Sequence, residues 1–197
     1  MAFYPEGKRI PAELRTEEFL VRPLRVSDVD ADYQAVVESR DMLRVWDQTE
    51  WPSDTFTLED NLASLERHEA NHEAGSEFTF SIMDPQERRC LGCIYLLPLR
   101  PVLEALGVSK PSLEGVGQHA AYVSFWVRAS ELESGLDRRI LDALLAWFRK
   151  DWALDPIAFG THTADEHQVA LFRDTGLSEA WTLPSADSSI VNLLFHP

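Results

Sequence analysis

Cysteine is nearly absent from this sequence: 197 residues contain two, Cys90 and Cys93. Both stand in "CLGC", within the apolar run "RRCLGCIYLLPL" that reads as a strand. In a strand, residues three apart face opposite sides at ~10 Å, too far for a disulfide. Two ligands are also too few for a zinc site, so both cysteines are expected to be small strand residues. Long apolar runs are missing as well. No stretch approaches the length of a membrane span, and the opening "MAFYPEGKRIPAEL" lacks the apolar core of a signal peptide. A cytoplasmic protein is the expectation. Basic residues are the third shortage, with 18 Lys and Arg against 33 Asp and Glu and a formal charge of −15. No Lys/Arg cluster offsets that charge locally, which argues against nucleic acid and membrane as partners and favours a cationic or amine-bearing substrate.

At 45% hydrophobic, the chain can bury one substantial core. Residues 1–17 read as an N-terminal extension and residues 18–197 as a single domain, with an insertion at about 100–118 where Pro101, Pro111 and three glycines break regular structure. "EFLVRPLRVSD" gives a strand running into a helix start, with Ser27 and Asp30 approximating a capping box. "RVWDQTEWPSD" is an aromatic-rich loop or short helix. Thr57 with Asp60 opens a second helix, which Gly75 ends. "SEFTFSIMD", the turn "PQER" and "CLGCIYLLPL" form a hairpin, and "HAAYVSFWVR" is the next strand. Asp137 to about Asp151 is the strongest helix, with Ile140, Leu141, Leu144, Leu145 and Phe148 as its core stripe. "IAFGTHT", "DEHQVALFRDTG" and "SIVNLLFHP" close the chain as strand, helix and strand. The order β-α-α-β-β-β-α-β-α-β, without internal repeats or low-complexity runs, specifies one α/β (α+β) domain.

"HEANH" fits the H-E-x-x-H pattern of zinc peptidases, in which His68 and His72 would bind metal and Glu69 would act as base. Gly75 continues the longer form of that pattern, but Phe78 stands where its third histidine belongs. A zinc-dependent hydrolase is therefore a minor alternative, beside a plain solvated helix end.

The element order, the opening "FLVRPLRVSDVDADYQAV" and the hairpin with "LGCIYL" resemble the Gcn5-related N-acetyltransferases over roughly residues 18–195. The branch they look most like includes the N-terminal acetyltransferases of ribosomal proteins. The resemblance implies a mixed central sheet flanked by helices and splayed between its fourth and fifth strands, here "CLGCIYLL" and "AYVSFWV". In that gap lies the pantetheine arm of acetyl-CoA, so Cys93, Ile94, Phe125 and Val127 become cofactor-binding candidates. A backbone N–H of "GCIYL" would stabilise the oxyanion. The diphosphate would sit on the amides opening the next helix.

The family pattern there, R/Q-x-x-G-x-G/A, is degenerate in this chain. Leu132 replaces Arg or Gln, Gly135 matches, and Asp137 replaces the last small residue. Arg138 and Arg139 can compensate by pairing with phosphate. Read without the resemblance, Ser134 or Asp137 simply caps the helix. In the last helix Asp165 stands where the family has an arm-contacting Asn, and Phe172 replaces the tyrosine that protonates the leaving thiolate.

No carboxylate falls in either strand, which leaves His119, Tyr122, Tyr95 and His162 as titratable candidates. His119 is taken as base or relay, since imidazole ordinarily titrates near neutral pH, and Tyr122 as its companion. The expected function is acyl-CoA-dependent N-acyl transfer, with acetyl-CoA as co-substrate, a small-molecule or peptide amine as acceptor, and no metal. The alternative is an inactive module of the same fold that binds or regulates a partner. A homodimer is the oligomer left open.

Overall fold

The computed structural model describes residues 3–184 and 189–197. The chain opens with β1 (Leu14–Arg15), β2 (Leu20–Pro23), α1 (Val29–Glu38), α2 (Arg40–Asp47) and α3 (Leu58–Ala74). The hairpin β3 (Phe78–Met83) and β4 (Cys90–Pro98) follows, then α4 (Leu99–Ala105) and β5 (Ala121–Val127). The second half holds α5 (Ala129–Leu132), α6 (Leu136–Asp151), β6 (Ile157–His162), α7 (Glu166–Asp174), β7 (Ser178–Pro184) and β8 (Val191–His196). The strands form one sheet in the order β1-β2-β3-β4-β5-β6-β8-β7, antiparallel except for the β5–β6 pair.

The helices start and stop for local reasons. At α3 the Thr57 hydroxyl accepts from the Asp60 amide and the Asp60 carboxylate accepts from the Thr57 amide, the reciprocal box expected from the sequence. Gly75 ends that helix in the left-handed region at φ 66°. The expected Ser27–Asp30 box is displaced by two residues. Asp28 takes the role, accepting from the Arg25 amide while its carboxylate is held by Arg22 at 2.7 and 2.8 Å. A buried arginine needs fixed partners, and Asp28 shares the role with Glu87, whose carboxylate accepts from Arg22 Nε at 2.7 Å.

The sheet packs both faces. One carries α6 and α7 over a core with Phe80, Phe125, Phe159, Phe172 and Phe195. The other carries α1, α2 and α3, which bury Val36, Leu43 and Leu65 against Cys90, Cys93 and Trp126. The register shifts between Ile82 and Met83, because Ile82 pairs Gly92 while Met83 pairs Cys90, which leaves Leu91 as the extra residue of a bulge on β4. The extra residue reverses the alternation, so Cys90 and Cys93 share one face instead of opposing faces. Both are buried free thiols.

Phe3 and Tyr4, in the N-terminal extension, are buried against Phe78 and Trp152, while Met1 and Ala2 lie outside the described residues. In the segment 100–118, the end of α4 and a short 3₁₀ turn at Lys110–Leu113 bury Leu103 and Leu113. The strand β7 escapes the sequence pattern, since its residues are mostly exposed at the sheet edge.

Candidate functional site

β5 and β6 pair only at Ala121 with Ile157, Tyr122 with Ala158 and Val123 with Phe159, then part. This corrects the place of the gap. The segments "CLGCIYLL" and "AYVSFWV" are β4 and β5, which stay paired through seven positions from Gly92–Val127 to Pro98–Ala121. The crossover that joins these parallel strands runs through α5 and α6, and α7 follows β6. Counted from β2, the parting strands are still the fourth and fifth.

A strand presents alternate residues to alternate neighbours. Arg128 donates its amide to Leu91 on β4, so the backbone of Phe125 and Val127 faces the gap. No oxyanion donor can come from "GCIYL", whose residues pair with β3 on one side and β5 on the other.

Three spaces share walls along the gap. Beside the start of α6 is a cavity of about 50 Å³, with Phe125, Val127, Asp137, Asp165 and His167 in its lining. That is room for a few waters. Behind it lies a polar cavity of about 170 Å³, lined in part by Tyr122, Ser124, Gly160, Thr161, His162 and Gln168. The third, about 530 Å³, opens toward α3 between Trp51, Arg67, His68, Glu77 and Tyr95. Trp46 lines all three, Gln168 the first two and Ser124 the last two.

The middle cavity is under-satisfied. Among the described residues, Thr161 Oγ1, His162 Nδ1 and Gln168 Oε1 are buried without a hydrogen-bond partner, and all three residues line it. Tyr122 lies flat over Gly160, where an added Cβ would stand 2.0 Å from its ring, and burial pushes its phenol up to about 12. In the outer cavity, burial lowers His68 to about 4, so its ring is neutral at working pH.

At the start of α6, Gly135 is left-handed with φ 71° and no side chain caps the helix. Ser134 instead donates to the Glu131 carbonyl at 2.7 Å. Asp137 is buried. One oxygen accepts from the Arg138 amide at 2.9 Å and the other meets His167 Nε2 at 2.6 Å, tying α6 to α7. Gln168 closes the gap further in, donating from Nε2 to the Phe125 carbonyl at 2.9 Å.

The structure gathers some of the expected residues and disperses others. Phe125, Val127 and Asp165 line the gap, and Asp165 caps α7 by accepting from the Gln168 amide at 2.9 Å. Tyr122 lines the polar cavity. Arg138 and Arg139 stand on the first turn of α6, paired with the exposed carboxylates Asp142 and Glu18. Cys93 and Ile94 do not reach the gap: they are buried on opposite faces of β4. His119 lies before the paired end of β5, its Nδ1 against the Phe3 carbonyl at 2.9 Å. Phe172 is buried among Phe125, Phe159 and Phe195.

The H-E-x-x-H residues are committed to structure. His72 Nδ1 meets the Thr79 carbonyl, His68 Nδ1 meets the Thr79 hydroxyl, and Glu69 accepts from the Val26 amide. Among the described residues no three His, Cys, Asp or Glu side chains are placed to hold a metal. Trp46, Thr161, His167 and Gln168 escaped the sequence reading. A tryptophan in a broken aromatic loop and a glutamine in a first helical turn carry no pattern of their own.

No family model and no curated protein matches the sequence. The folded chain matches many solved structures. One is RimL, a ribosomal L7/L12 alpha-N-protein acetyltransferase in complex with coenzyme A, at TM-score 0.69 and 16% identity over 92% of this chain and 94% of that one. A ribosomal-protein-S5-alanine acetyltransferase from Vibrio fischeri matches at TM-score 0.67 and 18% identity over 95% and 96%. The microcin C7 self-immunity acetyltransferase MccE, in complex with acetyl-CoA and AMP, matches at 0.71 and 10% over 95% and 97%. The chain has the fold of the Gcn5-related N-acetyltransferases.

RimL and MccE were solved with coenzyme A and acetyl-CoA, and the residues here fit one half of an acyl-CoA better than the other. The gap-facing backbone of β5 fits a polar arm. The diphosphate end fits only through Arg138 and Arg139, because Asp137 occupies the helix start with a carboxylate. Both arginines are held by exposed ion pairs, which cost less than about 1 kcal/mol to release.

Proposed function

We propose that this protein is an acyl-CoA-dependent N-acyltransferase that acts on a small-molecule or peptide amine in the cytoplasm. The observation that carries this reading is the parting of β5 from β6 over a polar cavity whose buried groups lack partners. A bound acyl-CoA would supply the activated thioester. The chain's own part is positional: the Phe125 and Val127 amides face the gap as oxyanion donors, Arg138 and Arg139 meet phosphate, and the outer cavity admits the amine. Its wall of Trp46, Trp51 and Tyr95, with Asp47 and Glu77, suits a cationic head attached to an apolar body. The chain's strongly negative charge would attract such an acceptor.

A second reading is favoured by the Asp137–His167 bridge and by Gln168 on the Phe125 carbonyl. Both close the cofactor half of the gap, as expected of a module that keeps the fold and binds or regulates a protein partner, including a second copy of itself. Calorimetric titration with acetyl-CoA and CoA separates the two. Micromolar binding that Arg138→Ala weakens about tenfold, or ~1.4 kcal/mol, supports the enzyme. A silent wild type that gains binding in Asp137→Gly supports the closed module.

A further inference from the structure

The polar cavity carries a more specific assignment, and it rests on the acyltransfer reading above. His162, at the end of β6, is almost fully buried, and its Nε2 lies 3.1 Å from the main-chain oxygen of Trp46. A carbonyl only accepts, so Nε2 must carry a hydrogen, and with a single proton on the ring Nδ1 is a lone pair. That lone pair has no partner among the described residues. The same logic fixes Gln168. Its Nε2 is spent on the Phe125 carbonyl, so the orphaned Oε1 is a second free acceptor. Two unmet acceptors on residues lining one cavity call for donors, and an amine with two N–H groups can serve both.

We infer that His162 Nδ1 is the proton acceptor for the attacking amine, with Gln168 Oε1 orienting the nitrogen through its other hydrogen. In the step, the amine nitrogen forms a bond to the carbonyl carbon of an acyl thioester and the carbon–sulfur bond breaks. One N–H proton passes to His162 Nδ1, and the sulfur leaves as thiolate and takes a proton from water. The resulting imidazolium keeps its Nε2–H on the Trp46 carbonyl, in the last turn of α2, where a helix end tolerates positive charge. Trp46 thereby acts as a positioning residue through its backbone, and Asp47 is the acidic side chain lining the same cavity. His119, placed beyond the paired end of β5, has no part in this step.

The test uses the full chain labelled with ¹⁵N-histidine. Long-range ¹H–¹⁵N spectra should show His162 protonated at Nε2 and bare at Nδ1, and glycinamide should shift the Nδ1 resonance while N-acetylglycinamide, which lacks the amine, should not. With acetyl-CoA and a peptide amine, His162→Ala should lower kcat by 10²–10⁴-fold with little change in KM for acetyl-CoA. His162→Gln, which keeps a donor toward Trp46 and most of the volume, should fold like wild type and be equally slow. A glycinamide shift without any turnover would sustain His162 and sink the acyl donor reading. Turnover that survives His162→Gln, or a Nδ1 resonance indifferent to glycinamide, would overturn the assignment while leaving acyl transfer standing.

Discussion

Replacing Asp32 by asparagine should change how stability depends on pH, and by an amount the structure sets. Asp32 is buried on α1, where it accepts from Asn61 Nδ2 at 3.0 Å and from the Cys90 thiol at 3.8 Å. Desolvation raises its carboxyl from 3.8 to about 6, and the nearby Asp28 adds to the rise. The folded pKa exceeds the unfolded one, so between these values the folded chain holds more protons. The contribution is therefore intact below pH 4 and is lost as pH rises through 6. Roughly two pKa units at 1.36 kcal/mol each give about 3 kcal/mol. An asparagine keeps an oxygen for Asn61 and places its amide toward the cysteine sulfur, without a charge to bury. Urea unfolding followed by tryptophan fluorescence at pH 4.5, 6.0 and 7.5 reads the difference. Asp32→Asn should gain on wild type by about 2 of those ~3 kcal/mol between pH 4.5 and 7.5, the remainder being already lost at the lowest pH. Glu38, held at about 2 by Arg128, titrates with the opposite sign but is common to both proteins and cancels. Parallel stability curves, within about 0.5 kcal/mol, would refute the reasoning.

Gly92→Ala should cost at least about 3 kcal/mol in the same assay, because its φ is 153° and a Cβ would stand 2.1 Å from the Trp126 carbonyl oxygen. Unchanged stability would mean that β4 and β5 are not so close. Gly160→Ala should cost about 1–3 kcal/mol by displacing the Tyr122 ring, and much less in a Tyr122→Ala background. Equal costs in both backgrounds would contradict the packing. Thr57→Ala removes the α3 cap and should cost about 1 kcal/mol, with Thr57→Ser close to wild type.

The sequence made the helices and inner strands legible because their periodicities are strong: the α6 stripe and the Thr57–Asp60 box needed no tertiary context. It concealed what depends on register and topology. A one-residue bulge at Leu91 cannot be seen in "RRCLGCIYLL", yet it decides which face both cysteines take. The splay was assigned one strand too early because β4 and β5 are equally apolar and only pairing distinguishes them. At the site, Asp137 and Asp165 were legible as departures from a pattern. Gln168, Thr161 and the tautomer of His162 matter only through what they face, which emerges when β6 and α7 are placed against β5.

The bulge also turns the cysteine pair into an internal clock for opening of the α1–α3 face. With Cys90 and Cys93 sealed beneath the same helices and both thiols pushed up by burial, neither is a nucleophile while the face is closed. Modification by an external disulfide reagent must then wait for α1 and α3 to lift from the sheet. Both sulfurs should react in a single kinetic phase, at a rate set by that opening and insensitive to ligands that leave it unchanged.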